Sequence, residues 1–337
     1  GWVHHLGKGP TLYFAFYLLF WSFIVGGALI AACGLAGHAL VDAVSVPWWG
    51  VIHSLAAMLL VMLGRYALFE RLMKVFIAAM FVVMLYAAIA VKPDLPALAK
   101  GLVIPVVPAG SATFILGVMG GVGGSVTLLS YGYWMREKRW VNTTDHPTIR
   151  IDLAAAYLLT GLFGVAVIII AAGVNPQQVT GPRMVIEVGR VLGELIGPVG
   201  KWTFLIGFWA AVFSSMLGVW QGVPYIFADF VAAWRAVNGS PSRTSAAVSS
   251  PLYRGYLLYL AIPPMLLLLV DRPVWIVIGY AVAGALFMPF LAGTLLIMNN
   301  RRDWITDLRN GRLTNLLLWV ALALFVYLGV VEIIRLL

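Results

Sequence analysis

Residues Ser111–Lys138 read SATFILGVMGGVGGSVTLLSYGYWMREK, long and apolar enough to cross a bilayer, yet with Gly120-Gly121-Val122-Gly123-Gly124 at the centre. Glycine costs about 1 kcal/mol against alanine inside a helix, so four in five positions loosen or break it at that depth. Within lipid such a break survives only where the freed N–H and C=O groups face protein, water or a ligand. The stretch therefore reads as a discontinuous membrane helix, the part of a secondary transporter that commonly holds its substrate. The bland alternative is an intact helix whose glycines form a packing groove. Against it stand the glycine density, the neighbouring Ser125 and Thr127, and the lack of bulky residues from Gly120 to Ser125.

The rest of the chain has the same character. It is 62% hydrophobic and 10% charged, with a mean hydropathy of +0.96, whereas about a quarter of the residues of a soluble domain are charged. This excludes a soluble protein and predicts an all-α polytopic membrane protein. At about 20 apolar residues per crossing, about nine spans fall near 11–35, 47–64, 72–91, 110–134, 152–173, 201–232, 254–270, 274–298 and 314–334. The whole of 1–337 reads as one transmembrane domain.

The net charge of +9 is not a nucleic-acid footprint, because the basic residues lie in short clusters between apolar spans. Arg65, Arg71, Lys74, Arg136, Lys138, Arg139, Arg150, Arg235, Arg243, Arg254 and Arg301, Arg302, Arg309 and Arg312 follow alternate spans. The opposite connections hold fewer. This asymmetry places the basic loops and the first residue in the cytoplasm, and an inner (plasma) membrane location follows. Residues 175–200 carry Val185, Val188, Leu192 and Leu195 between Glu187, Arg190 and Glu194, the pattern of an amphipathic helix at the outer surface. Residues 235–253 include a Ser-, Asn- and Gly-rich segment that reads as a cytoplasmic loop. Trp48-Trp49, Tyr131, Tyr133, Trp134 and Trp234 read as interfacial aromatic belts.

Groups able to do chemistry are few. None of the acidic residues falls at the middle of a predicted span, and HExxH, GxSxG and P-loop motifs are absent, which removes the common hydrolase and nucleotide-driven classes. No charge ring or repeated filter segment suggests a channel. Cys33 is the single cysteine, so disulfide and Cys-based metal motifs are excluded. His38 and His53 can be proton relays or polar partners between helices; no role follows for them, nor for His4, His5 and His146. Ser214-Ser215 in the sixth span either line a cavity or bond their own helix. Pro224 and Pro289 interrupt their helices.

The order of features resembles the Nramp family of divalent metal transporters, which have a LeuT-type inverted-repeat fold of the amino acid–polyamine–organocation superfamily. The resemblance rests on Val46-Pro47-Trp48-Trp49-Gly50-Val51, Gly64-Arg65-Tyr66, Leu68-Phe69-Glu70 with Leu72-Met73-Lys74, and Val91-Lys92-Pro93-Asp94. It continues through Pro108-Ala109-Gly110-Ser111, Ile115-Leu116-Gly117, Ala210-Ala211-Val212-Phe213-Ser214-Ser215 and Met288-Pro289-Phe290. These are moderate matches spread over most of the chain.

In that register the first span here corresponds to the family's third helix. The family's first two helices, with an Asp-Pro-Gly-Asn signature, then lie outside this sequence. The chain is accordingly expected to be a fragment that does not transport by itself. The family's sixth helix has Ala-x-x-Met-Pro-His, and the corresponding residues here are Val118, Gly121, Val122 and Gly123. Loss of the thioether, which favours softer metals, resembles the Nramp-related magnesium transporters. Family acids of the third helix correspond to Ala31, Ala32 and Cys33, and a tenth-helix glutamine to Phe287, which argues against proton coupling.

The resemblance thus implies alternating-access transport of a Mg2+- or Mn2+-like cation by a monomer, with no enzyme activity and no cofactor. Its partners are the cation and the lipid bilayer, with no nucleic acid. Val118 and Gly121 are the expected metal-facing carbonyls. Gly120, Val122, Gly123, Gly124, Ser125, Thr127, Ser214 and Ser215 complete the expected substrate-binding set. A transporter of a small organic solute on the same fold is the alternative, since a glycine-walled pocket at half-helix ends also accepts a carboxylate or amine.

Overall fold

A computed structural model describes residues 2–63, 66–104, 106, 111, 114–115, 118, 126–140, 142–174, 183–239, 248–270, 273–305 and 309–336. The described residues form helices, 3-10 turns and connections, with no strand among them. In chain order the helices are α1 (Trp2–His5), α2 (Lys8–Leu40), α3 (Val46–Leu63), α4 (Tyr66–Ala90), α5 (Leu95–Val103) and α6 (Tyr131–Glu137). They continue as α7 (His146–Val174), α8 (Arg183–Ile196), α9 (Pro198–Val237), α10 (Pro251–Ala261), α11 (Pro273–Met298) and α12 (Arg312–Leu336). A 3-10 segment, Val126–Ser130, leads directly into α6.

Eight of the nine predicted spans coincide with these helices. Six are long and apolar enough to cross a membrane among the described residues: α2, α3, α4, α7, α9 and the Pro251–Leu269 unit. The ninth, 110–134, is described only in part, at 111, 114–115, 118 and 126–134. Burial sorts the spans into an inner and an outer set. In α2 72% of the apolar window is buried, against 11% in α7. Leu158 and Ile168 of α7 accordingly present their side chains outward, as lipid-facing residues do.

The centre of the bundle is the pair α2 and α9, each packed on several others. Trp21, Leu18 and Ile30 of α2 and Trp220, Met216 and Leu217 of α9 are fully enclosed in one cluster with Tyr253, Leu257 and Phe287. Lipid tails are as apolar as leucine, so helices here associate through close packing more than through the hydrophobic effect. The small-residue face of α2 serves that purpose. At Gly34 a Cβ would collide with the Val46 carbonyl oxygen at the start of α3, and at Gly50 of α3 it would lie 2.8 Å from the Ile30 carbonyl oxygen.

Two helices depart from regularity for visible reasons. The predicted span 254–270 is helical only to Ala261 and continues as a 3-10 segment, Pro263–Leu269, because Pro263 and Pro264 supply no N–H. The Ala261 carbonyl accepts a bond of 2.8 Å from Ser54 Oγ of α3 instead. In α9, Pro224 withholds the N–H that the Trp220 carbonyl would accept, and one position further on the Gln221 carbonyl accepts a 2.8 Å bond from the Tyr253 hydroxyl. The carbonyl at the end of α10 is thus satisfied internally, as a bilayer requires.

Helix α8 seats Val188 and Leu192 against Phe204 and Leu205 of α9. Its other face carries Arg190 bonded to Glu187 and Glu194.

Candidate functional site

Of the expected substrate-binding set, Gly120, Gly121, Val122, Gly123, Gly124 and Ser125 lie outside the described residues. Val118 is helical with its side chain 64% exposed. Thr127 is half-buried in the Val126–Ser130 turn. Ser214 is buried and Ser215 exposed, and both hydroxyls donate to the Ala211 carbonyl of their own helix, at 3.0 and 2.9 Å. These two serines therefore spend their donors inside α9. Among the described residues no group of three or more His, Cys, Asp or Glu side chains is placed to hold a metal ion.

The structure instead gathers polar groups where the glycine-rich stretch emerges into α6. Tyr133 donates to Asp229 at 2.8 Å, Tyr131 donates to Asp152 at 2.8 Å, and Tyr225 donates to Glu137. Trp134 Nε1 donates to the Gln221 side-chain oxygen. Lys138, one residue beyond α6, lies 3.4 Å from Glu70 of α4, which also pairs with Lys74 at 2.9 Å. One short helix is thereby fastened to α4, α7 and α9. The rings reinforce the contact: Tyr133 stacks on Tyr225 with centroids 5.6 Å apart, and Tyr225 meets Tyr253 edge-on at 4.9 Å.

Local sequence explains the close approach. On α9, Gln221, Tyr225 and Asp229 follow at i, i+4 and i+8 and so share one face, while Gly222 beside them removes a side chain. A Cβ at Gly222 would lie 2.5 Å from Ser130 Oγ. That hydroxyl is fully buried and has no hydrogen-bond partner, as are Trp21 Nε1 and Trp220 Nε1. Unpartnered buried donors are uncommon, and these three lie in the same interior as the α2–α9 pair.

Residues of the α6–α9 contact line two cavities. One, of about 590 Å³, is lined by Phe14, Tyr133, Arg136, His146, Asp229 and Phe230 among others. The other, of about 440 Å³, is lined by Tyr66, Glu137, Gln221, Tyr225, Tyr253 and Arg254 among others. The Tyr133–Asp229 pair thus lines one cavity and the Tyr225–Glu137 pair the other. Hydrogen bonds to a charged acceptor are the stronger kind, and those at a cavity wall can be exchanged for bonds to water when the helices part.

Sequence reasoning placed Asp229, Glu137 and Asp152 near span ends and assigned Tyr131, Tyr133 and Trp134 to an aromatic belt. Their polar atoms are in fact engaged with α7 and α9. Gln221 and Tyr225 were not singled out for this role. The i, i+4, i+8 polar stripe on an otherwise apolar α9 is the signal that marks them.

A family model described as Natural resistance-associated macrophage protein-like matches residues 3–335 of the 337. No curated protein matches the chain. The match takes in nearly every residue described above, including the glycine-rich stretch, α6 and the polar stripe of α9. An all-helical bundle of apolar spans is what a polytopic membrane protein on a LeuT-like fold requires. On this evidence the chain belongs to the Nramp family, whose members transport divalent metal cations across membranes.

Proposed function

We propose that the protein carries a Mg2+- or Mn2+-like divalent cation across the inner membrane by alternating access, with α6 as the moving closure of the end that bears the basic loops. In this reading that end faces the cytoplasm, the protein works as a monomer, and transport is not driven by protons. It is a carrier and not an enzyme. The observation that supports the moving closure most directly is the α6 lattice. Three tyrosine–carboxylate bonds and one Lys–Glu pair hold the continuation of the glycine-rich stretch against three neighbouring helices.

Carbonyls of Val118 and Gly121 face the ion, which keeps much of its hydration, as magnesium does. Gly120, Val122, Gly123, Gly124, Ser125 and Thr127 leave room for that hydration, and Ser214 and Ser215 lie on the neighbouring α9. When α6 tilts from α9, Tyr133 leaves Asp229 and Tyr225 leaves Glu137. The two cavities then join, and two carboxylates freed from tyrosine line the way out for a cation. Negative groups along a cleft raise the local concentration of cations.

Calorimetry on the complete encoded protein in lipid nanodiscs, with Mg2+, Mn2+ and a panel of amino acids and amines, tests this reading. Heat of binding from a divalent cation is the expected result. Heat from organic solutes alone would replace the metal reading with the organic-solute one.

A further inference from the structure

His53 of α3 is 7% exposed and lies between helices rather than at a surface. Its Nε2 is 2.8 Å from Trp209 Nε1 of α9, and its Nδ1 is 2.7 Å from the Trp49 carbonyl oxygen. An indole N–H can only donate and a carbonyl can only accept. Nε2 must therefore be the bare acceptor and Nδ1 must carry the hydrogen. The two contacts leave room for one protonation state, the neutral ring with its proton on Nδ1.

We propose that His53 is a proton-binding site that works as a latch between α3 and α9: the neutral ring ties the two helices, and a proton taken up on Nε2 releases them. With that proton in place Nε2–H and Trp209 Nε1–H are two donors 2.8 Å apart, and the bond between the helices cannot persist. No covalent bond changes, and the proton comes from water.

The surroundings make the latch specific. On α9, Trp209 and Phe213 face the ring, with centroids at 6.3 and 5.4 Å. On α3 the neighbour is Trp49, at 5.4 Å. On α2 the neighbour is Gly37, where a Cβ would come within 3.0 Å of His53 Cε1. The titratable groups of α2 within about a turn of Gly37 are Cys33, buried, and His38, whose Nδ1 is engaged with the Val44 carbonyl at 2.8 Å. From α4, Phe76 packs on Trp209 and Phe213 behind the ring. The charged residues of α4, Glu70, Arg71 and Lys74, and those of α9, Lys201, Asp229 and Arg235, make no bond to His53, and none of the ion pairs among the described residues includes it. Among the described residues no carboxylate, Asp42 of the α2–α3 connection included, is paired with the ring, so the arriving proton weakens the α3–α9 contact instead of strengthening it.

The latch sits on the helix that carries Gln221, Tyr225 and Asp229, so releasing it bears on the helix against which α6 closes. It does not depend on which solute the protein carries.

The test uses the nanodisc-reconstituted protein, selectively labelled with 15N-histidine, titrated from pH 8 to pH 5, with wild type compared against His53→Gln and Trp209→Phe. At the high-pH end, one histidine absent from the His53→Gln spectrum is expected as the Nδ1–H tautomer, and it is expected to titrate to the doubly protonated form in the window. Melting temperature recorded in parallel is expected to fall by about 2 °C or more further in wild type than in His53→Gln over that range. Trp209→Phe keeps the histidine and its titration but loses the extra fall, which separates the latch from simple charge burial. A His53 resonance that stays neutral to pH 5, or that is the Nε2–H tautomer at pH 8, would overturn the proposal. So would wild type and Trp209→Phe losing stability in parallel.

Discussion

The contact of α2 with α3 and the contact of α6 with α9 are both close helix approaches, and they are made of opposite materials. The first is built on backbone: Gly34 lies against the Val46 carbonyl, and Gly50 against the Ile30 carbonyl. The second is built on side-chain tips, tyrosine hydroxyls on carboxylates and an indole on an amide, with two cavities alongside. A backbone contact has no substitute partner within lipid, because nothing there can replace lost packing. A hydroxyl–carboxylate bond beside a cavity has one in water. The comparison teaches which parts of the bundle are frame and which are fit to move: α2–α3 is the frame and α6 the movable piece.

The sharpest attempt to break this contrast is Gly34→Leu. The side chain would have to enter backbone, and the expected loss is about 3 kcal/mol, the upper end for overpacking. Thermal melting of the detergent-solubilised protein reads it; a variant as stable as wild type would show that α2 and α3 are not in this contact.

Gly222→Ala probes the other contact, and there the sign is informative. In an unobstructed helix the change stabilises by up to about 1 kcal/mol, and Gly255→Ala in α10, with open space around it, is expected to do so. At Gly222 the new methyl meets Ser130 Oγ and Cβ. A net loss of about 1 kcal/mol is expected, with Ser130→Gly restoring it in the double variant. Stabilisation by Gly222→Ala alone would place the Val126–Ser130 turn elsewhere.

Tyr253→Phe removes the buried hydroxyl that bonds the Gln221 carbonyl. The expected cost is about 1 kcal/mol, seen as a lower melting temperature.

The smallest effect belongs to α8, away from both contacts. The Arg190 guanidinium, bonded to Glu187, holds that carboxyl below its ordinary value. A carboxyl with a depressed folded-state pKa contributes stability above its unfolded value, and the contribution is lost as pH falls through the folded one. Arg190→Ala should remove that acid-range dependence and leave melting at neutral pH nearly unchanged, because exposed pairs contribute little.

Much of the frame was legible in the sequence, and the movable piece was not. Apolar runs of span length located α2, α3, α4, α7, α9, α11 and α12, because hydropathy is a property of each segment by itself. The conversion of the 254–270 span to a 3-10 segment was not read, and it depended on Ser54, about 200 residues away in sequence, satisfying the Ala261 carbonyl. The tyrosines of α6 were read as interfacial because composition cannot tell which polar atom an aromatic ring meets. Ser214 and Ser215 were ambiguous between cavity and own helix, and Ala211 accepts both. His53 offered two readings, and a partner at Trp209 was beyond any local pattern.

The claim that α6 is held shut by exchangeable bonds is tested most directly by labelling a single engineered cysteine at Leu129, which lines the larger cavity. The native Cys33 is fully buried and gives a silent background. In nanodiscs, the thiol-labelling rate of Leu129→Cys would be compared with that of the same variant carrying Tyr133→Phe and Tyr225→Phe. Loss of two bonds to carboxylates, each contributing at least about 1 kcal/mol, predicts labelling faster by about tenfold or more. Equal labelling rates would contradict the account.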